Sequence, residues 1–108
     1  MKIIAANKRA TFDYIISQKL DAGIILTGSE VKSLRKNSTS IKESYVDAIG
    51  SELWLCNSFI KKYESSNEKD HNSTRKRKLL LNKKELNKIL GSVRKEGFSV
   101  VPISIYFN

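Results

Sequence analysis

The segment "GSEVKSLR", from Gly28 to Arg35, decides how this chain is interpreted, because it places an acid, bases and serines between two apolar runs. Val31 and Leu34 lie three positions apart, the spacing of one helix face. Ser29 is a candidate N-cap, and Glu30 falls in the first turn, where the helix dipole favours an acid. We therefore predict a short helix here, inserted between strands.

Composition limits the classes of protein to consider. The 108 residues, 40% of them hydrophobic, predict one domain over 1–108 with a modest core. A net charge of +9 indicates a polyanionic partner, either nucleic acid or an anionic membrane. With one cysteine, Cys56, and one histidine, His71, we expect no internal disulfide, no metal cluster and no cofactor. Apolar runs are too short for a signal peptide or membrane span, so we expect a soluble cytoplasmic protein.

Two regions on either side of the predicted helix have strand character. The stretch "YIISQKLDAGIIL", Tyr14–Leu26, predicts two strand-like runs joined across Asp21 and Gly23, as a hairpin or a bent strand. After the helix, "SYVDAIGSELWLCNSFI" predicts a second hairpin that turns at Gly50 and Ser51. The arms of this hairpin are predicted over Tyr45–Ile49 and Leu53–Cys56.

A long polar stretch, Lys61–Lys78, follows the predicted strands and is either mobile or ordered only by a partner. Its end and the next helix start are rich in cations, which suit phosphate contacts. Because cations oppose the dipole at a helix N-terminus, some other benefit is needed to explain them. The cations are Arg75, Lys76, Arg77, Lys78, Lys83 and Lys84.

The clearest helix is "NKKELNKILGSVRKEG", whose apolar residues have helical spacing. Asn82 and Glu85 resemble a capping box, and Gly97 is a natural left-handed stop. The following "FSVVPISIYF" alternates as a half-buried strand does, and Pro102 suggests an edge or a bulge. The helix stripe consists of Leu86, Ile89, Leu90 and Val93, and the strand face of Val101, Ile103, Ile105 and Phe107.

Short strands with one short and one longer helix predict a small β-barrel or an α+β sheet with helices at its ends. Residue patterns leave open an oligonucleotide-binding barrel and an RRM-like sheet, since both carry aromatics on which bases stack. We interpret Trp54 as a packing residue rather than a platform. Enzymatic catalysis has no support, because His71 lies in a polar loop without a partner nucleophile. The aromatic candidates for stacking are Tyr14, Tyr45, Trp54, Tyr63 and Tyr106.

Several motifs together resemble the SsrA-binding protein (SmpB) family, in order along nearly the whole chain. They are "ANKRATFDYII" (6–16), "GIILTGSEVKSLR" (23–35), "SYVDAIGSELWLCNSFIKKYE" (44–64), "RKRKLLLNKKEL" (75–86) and "GFSVVPISIYF" (97–107). The resemblance implies a mainly β fold, a small oligonucleotide-binding-type antiparallel β-barrel with flanking helices. It also implies a non-enzymatic protein that binds the tRNA-like domain of tmRNA and delivers it to stalled ribosomes for rescue and peptide tagging.

The resemblance also implies which residues contact RNA, with no metal, membrane or small-molecule substrate involved. Two departures from the family pattern accompany it: "HNST" replaces a proline-containing loop after His71, and the family's further strand and basic tail are expected to be absent after Asn108. A generic single-stranded nucleic-acid-binding barrel without tmRNA specificity is the alternative. The predicted RNA-binding residues are Asn7, Lys8, Arg9, Glu30, Lys32, Ser33, Arg35, His71, Arg75, Arg77 and Lys78.

Overall fold

A computed structural model describes residues 2–36, 39–64 and 71–108. Within these ranges, short antiparallel strands alternate with three helices. The strands are β1 (Lys2–Ala6), β2 (Gly23–Ile24), β3 (Thr39–Ser40), β4 (Tyr45–Ile49), β5 (Glu52–Cys56), β6 (Phe59–Ile60), β7 (Arg77–Leu80) and β8 (Ser104–Phe107). The helices are α1 (Ala10–Asp13), α2 (Gly28–Lys36) and α3 (Lys83–Glu96).

The β4–β5 hairpin is the centre of the largest sheet, whose strand order is β2-β7-β5-β4. The hairpin prediction is confirmed, with β5 beginning one residue earlier than expected. Gly50 occupies the turn with φ of 61°, a left-handed conformation that glycine adopts without a side-chain clash. Leu53 and Leu55 on β5 are 1% and 3% exposed, and Trp54 between them is half-buried on the opposite face. Strand alternation therefore gives β5 one fully buried face.

The C-terminal strand changes partner near Pro102. Before the proline, Val100 O accepts a hydrogen bond from Val46 N at 3.1 Å, which attaches this segment to β4. After it, Ile103 O accepts from Asn7 N at 2.7 Å, and β8 pairs with β1 in an antiparallel ladder. Since proline donates no backbone hydrogen bond, it fits a point between two pairings. The sequence did not predict β1.

Helix α3 has the ends that the sequence predicted. Asn82 Oδ1 accepts from Glu85 N at 2.8 Å, and Gly97 ends the helix with φ of 71°. Leu90 is buried, and Arg94 Nη2 donates to Gly50 O, so α3 is attached to the β4–β5 turn. The prediction from the apolar stripe and its caps is confirmed.

The predicted strands between Tyr14 and Leu26 are mostly wrong. Only Gly23–Ile24 is a strand, and 14–22 has no regular structure. Ile15, in the apolar run that suggested a strand, is 100% exposed, so its side chain does not pack against a sheet. A hydrogen bond of 2.6 Å from the Tyr106 hydroxyl to Asp21 Oδ1 attaches the segment to β8. Acceptance by this carboxylate raises the pKa of the Tyr106 hydroxyl.

The core combines residues from all three sheets and from α2 and α3. A separate two-stranded ladder pairs β3 with β6, and Thr39 Oγ1 donates to Phe59 O beside it. The molecule is therefore mainly antiparallel β with flanking helices, the class that the family resemblance implies. Buried hydrophobic residues include Ala5, Leu34, Ile41, Leu53, Leu55, Cys56, Ile60 and Leu90.

Replacing Leu53 tests this core. We expect Leu53→Ala to lower the free energy of unfolding by about 2–5 kcal/mol, because a fully buried side chain leaves a cavity. Ile15→Ala is the control, since its side chain is fully exposed, and we expect a change within about 0.5 kcal/mol. Urea unfolding followed by Trp54 fluorescence measures both. Equal losses for the two variants would contradict the assignment of the core.

Candidate nucleic-acid interface

The N-terminus of α2 has a reciprocal capping box formed by Thr27 and Glu30. Glu30 N donates to Thr27 Oγ1 at 3.2 Å, and Thr27 N donates to Glu30 Oε1 at 2.9 Å. The prediction of Ser29 as the N-cap is wrong, because the helix begins at Gly28 and Thr27 precedes it. The Thr-x-x-Glu spacing of the capping box was present in the sequence and was the signal for the correct cap.

Glu30 is also the centre of a buried ionic cluster. The residue is 1% exposed, although carboxylates are rarely buried unless paired. Arg75 donates through Nε to Oε2 at 3.1 Å and through Nη2 to Oε1 at 2.6 Å, a bidentate contact. Arg77 approaches the same carboxylate with Nε at 2.7 Å and Nη2 at 2.6 Å from Oε2. One carboxylate thus joins the start of α2 to both arginines.

Every nitrogen of the Arg77 guanidinium has an acceptor. The side chain is 0% exposed, so each of its five donors requires a partner inside the protein. Nη1 donates to both the carbonyl and the hydroxyl oxygen of Ser58 at 2.9 Å, and Nη2 also donates to Ser73 O at 3.2 Å. The buried charge is therefore compensated by Glu30 and by the segments before β6 and β7. Sequence reasoning did not identify Ser58, for which no local pattern exists.

The ionic cluster sets the charge state of Glu30. Burial raises the pKa of a carboxyl group, but hydrogen bonds from Arg75, Thr27 N and Arg77 outweigh it, and the pKa of Glu30 lies below its ordinary value. The carboxylate is thus ionised throughout the neutral range. With two guanidinium groups around one carboxylate, the cluster keeps an excess positive charge, and its partly exposed member is Arg75, at 33% of the side chain.

Three of the predicted RNA-binding residues are enclosed in the protein. Glu30, Ser33 and Arg77 are each 1% exposed or less. Ser33 Oγ donates to Lys61 O at 2.5 Å, which fixes the chain after β6 against α2. In this conformation none of the three presents a surface on which RNA could lie. The structure brings Glu30, Arg75 and Arg77 together but gives Ser33 a separate contact.

His71 and the residues after it form the loop that leads into β7. His71 Nε2 lies 2.9 Å from Ile60 O, and Ile60 N donates to Ser73 O at 2.9 Å. Within the polar stretch from Lys61 to Lys78, the part that begins at His71 is thus hydrogen-bonded to β6 next to the ionic cluster, and the last two residues belong to β7. The part at 65–70 lies outside the described residues.

The remaining predicted cations lie at the surface. Lys8 and Arg9 are exposed between β1 and α1, with the half-buried Asn7 beside them. Lys78 Nζ lies 3.6 Å from a Glu52 carboxylate oxygen, and both side chains are more than a third exposed. Such an exposed pair is weak and exchanges readily for a phosphate partner. These positions are accessible to an RNA backbone.

The outer side of α2 pairs cations with aromatic rings. Lys32 Nζ and Lys36 Nζ lie 5.9 Å and 5.5 Å from the centroid of the Tyr63 ring. Arg35 Cζ lies 5.5 Å from the centroid of Phe107. Sequence reasoning predicted Lys32 and Arg35 as RNA contacts but did not anticipate these ring partners, which come from distant parts of the chain.

The described residues contain neither a metal-binding cluster nor a membrane-spanning helix. Across 2–36, 39–64 and 71–108 no group of His, Cys, Asp or Glu side chains could hold a metal ion. No helix among those residues combines the length and apolarity that crossing a membrane requires.

Cys56 is buried, and burial raises the pKa of its thiol. Tyr14 and Tyr45, each about half exposed, stay candidates for base stacking.

Comparison with known proteins gives one consistent family. A family model described as "SmpB protein" matches residues 4–108. An SsrA-binding protein of Ehrlichia ruminantium is 55% identical over 108 residues, which is 100% of this chain and 73% of that protein. The SsrA-binding protein of Rhodopseudomonas palustris is 47% identical over the same span, 69% of its length.

A solved structure is similar as well. The chain matches a protein in the structure "tmRNA-SmpB: a journey to the center of the bacterial ribosome", with a TM-score of 0.73 and 44% sequence identity. The match covers 95% of this chain and 72% of that one. Fold and sequence similarity therefore agree over nearly the whole chain.

Replacing Glu30 tests the ionic cluster through its pH dependence. Because the folded-state pKa of Glu30 is lowered, its contribution to stability is fully present above the unfolded pKa and is lost as pH falls through the folded value. We expect Glu30→Gln to lower the free energy of unfolding by about 3–5 kcal/mol near neutral pH, because Arg77 loses its counter-charge. The difference in free energy of unfolding between the parent protein and Glu30→Gln should become smaller below about pH 4.5.

Urea unfolding of the parent protein and of Glu30→Gln at several pH values measures this difference in free energy of unfolding. Glu52→Gln is the control, since its carboxylate is 38% exposed and its pairing with Lys78 is weak. A gap between the parent and Glu30→Gln that stays constant from neutral pH to about pH 3 would contradict an ionised, stabilising Glu30.

Proposed function

Because the chain belongs to the SmpB protein family, we propose that it binds the tRNA-like domain of tmRNA and delivers it to stalled ribosomes in trans-translation. The observation that carries this proposal is the agreement of sequence and fold with SsrA-binding proteins along residues 4–108. The protein acts by binding, without an enzymatic step, and works in the cytoplasm, where ribosomes translate.

Electrostatics supplies the general attraction to RNA. With a net charge of +9, the chain gains affinity from each phosphate that its cations neutralise, through release of counterions. Lys8 and Arg9 are exposed for such contacts. This part of the affinity carries no sequence information, so discrimination between RNAs rests on the shape of the surface that holds the cations.

In this proposal the enclosed members of the ionic cluster, Glu30 and Arg77, position cations without touching RNA. Along 75–78 the side chains alternate: Arg77 is buried, and Lys76, on the opposite face of the chain, is exposed. Capture of both arginines by Glu30 therefore fixes the register of this segment and keeps Lys76 and Lys78 directed outward. In this proposal Glu30 and Arg77 are positioning residues, and the lysines between and after the arginines contact phosphate.

The first experiment is a competition between RNAs. We expect the protein to bind the tRNA-like domain of tmRNA in the presence of excess ordinary tRNA, because its relatives are SsrA-binding proteins. Filter binding or fluorescence anisotropy at two salt concentrations measures it. Equal, steeply salt-dependent affinity for both RNAs would contradict the proposal and favour a generic nucleic-acid-binding barrel.

A charge variant tests the predicted contact residues. We expect Arg9→Gln to weaken binding to the tRNA-like domain and to reduce the slope of log affinity against log salt by about one, because one phosphate contact is lost. Lys42→Gln is the matched control, an exposed cation outside the predicted site. Indistinguishable slopes for the parent, Arg9→Gln and Lys42→Gln would remove Arg9 from the interface.

A further inference from the structure

The outer face of the largest sheet carries two accessible aromatic side chains. Strand register places Asp47 opposite Trp54 and Trp54 opposite Lys78, so these side chains form one row across β4, β5 and β7. Tyr45 lies two positions before Asp47 on the same face of β4, is 50% exposed and is diagonal to Trp54. Sheets that bind single-stranded RNA use such aromatic residues as stacking platforms, beside cations that hold the phosphates.

This face differs from such a platform in its charge. Residues 43–60 contain three acids and no Lys or Arg, although the whole chain has a net charge of +9. Two of the acids belong to the outer face: Asp47 lies opposite Trp54, and Glu52 lies two positions before Trp54 on β5. The half-buried ring of the tryptophan therefore has an acid next to it on its own strand and another on the neighbouring strand.

The cation at the end of this row is already paired with one of the acids. Lys78 Nζ lies 3.6 Å from Glu52 Oε1. A phosphate that approaches Lys78 from the β5 side must displace this carboxylate, and the next phosphate of a strand crossing toward β4 would lie near Asp47. Because carboxylate and phosphate have the same sign of charge, each acid lowers the affinity of an RNA strand that crosses the face.

Folding gives little reason for either acid to be at its position. Asp is among the residues that strands disfavour, and Asp47 occupies the middle of β4, Tyr45–Ile49. The ion pair of Glu52 with Lys78 adds little stability, because both side chains are more than a third exposed. The two acids therefore indicate a role in what the outer face excludes.

We propose that Asp47 and Glu52 are specificity-determining residues that keep single-stranded RNA off the outer face of the largest sheet. Their charge prevents Tyr45 and Trp54 from acting as a stacking platform. A phosphate can approach Lys78 from the β7 side, but the strand cannot continue across β5 and β4. Specificity then comes from a repulsive element as well as from favourable contacts. This inference rests on the proposed function, because rejection of unpaired strands favours a folded RNA.

The test compares three double variants with the parent protein. Asp47→Asn/Glu52→Gln removes both charges with little change in size. Glu85→Gln/Glu96→Gln removes two exposed acids from α3 and raises the net charge by the same amount. Asp47→Glu/Glu52→Asp keeps both charges. The probes are a short single-stranded oligouridylate and the tRNA-like domain of tmRNA, followed by fluorescence anisotropy at several salt concentrations, after urea unfolding has established that each variant is folded.

We expect Asp47→Asn/Glu52→Gln to bind the oligouridylate at least about threefold more tightly at low salt, because two repulsive charges are removed. The slope of log affinity against log salt should become steeper by about 0.7, since Lys78 becomes available for one more phosphate of a single strand. The α3 variant should change the affinity by less than about twofold, and the charge-conserving variant should behave as the parent. No gain in the first variant, or an equal gain in the α3 variant, would overturn the proposal.

Trp54 reports where the strand binds, because it is the single tryptophan of the chain. In Asp47→Asn/Glu52→Gln we expect the oligouridylate to quench the fluorescence of Trp54, since stacking brings a base onto the ring. Tighter binding without quenching would contradict the location of the excluded strand on this face.

The tRNA-like domain tests the role in specificity. We expect Asp47→Asn/Glu52→Gln to have a lower ratio of affinity for the tRNA-like domain to affinity for the oligouridylate, because the gain is confined to the unpaired strand. An equal gain for both RNAs would overturn this role. Failure of the proposed function is seen elsewhere, in whether the parent protein prefers the tRNA-like domain to ordinary tRNA, and the oligouridylate measurements do not depend on that result.

Discussion

The buried carboxylate of Glu30 is the constraint on which the rest of the interface depends. It caps α2 through Thr27, holds Arg75 in a bidentate contact and neutralises part of the charge of the fully buried Arg77. Through Arg77 it also reaches Ser58 and Ser73, which flank β6 and β7. Removal of one partner from such a cluster leaves a buried charge unpaired, so the segments are energetically coupled.

The ionic cluster also separates the charged side chains of this strongly basic chain into a buried set and a set that faces solvent. On one side of α2, Glu30 pairs with arginines inside the protein. The other side carries Lys32, Arg35 and Lys36 over aromatic rings. Along 75–78, alternation in an extended chain separates the arginines that hold the fold from the lysines that face solvent. In both places the inward group fixes the backbone from which the outward cations project.

Local patterns predicted much of the fold, and their failures have physical causes. Helix α3 and the β4–β5 hairpin were predicted because their caps, turn and periodicity are encoded within a few residues. The run at 14–22 was misjudged as strand, since strand formation requires a partner that apolar composition does not supply. The cap of α2 was placed at Ser29 although the pair of Thr27 and Glu30 carried the stronger signal.

The sequence by itself determined the class of the protein: its charge, its main helix and hairpin, and the motifs of the SmpB family, because these depend on composition or on neighbours in the chain. Only the tertiary structure decided which charged residues are accessible. Glu30 and Arg77 are 47 positions apart and meet inside the protein, whereas Lys32, two residues from Glu30, faces solvent over Tyr63. Burial and pairing arise from contacts between distant segments, and no local pattern of charges contains that information.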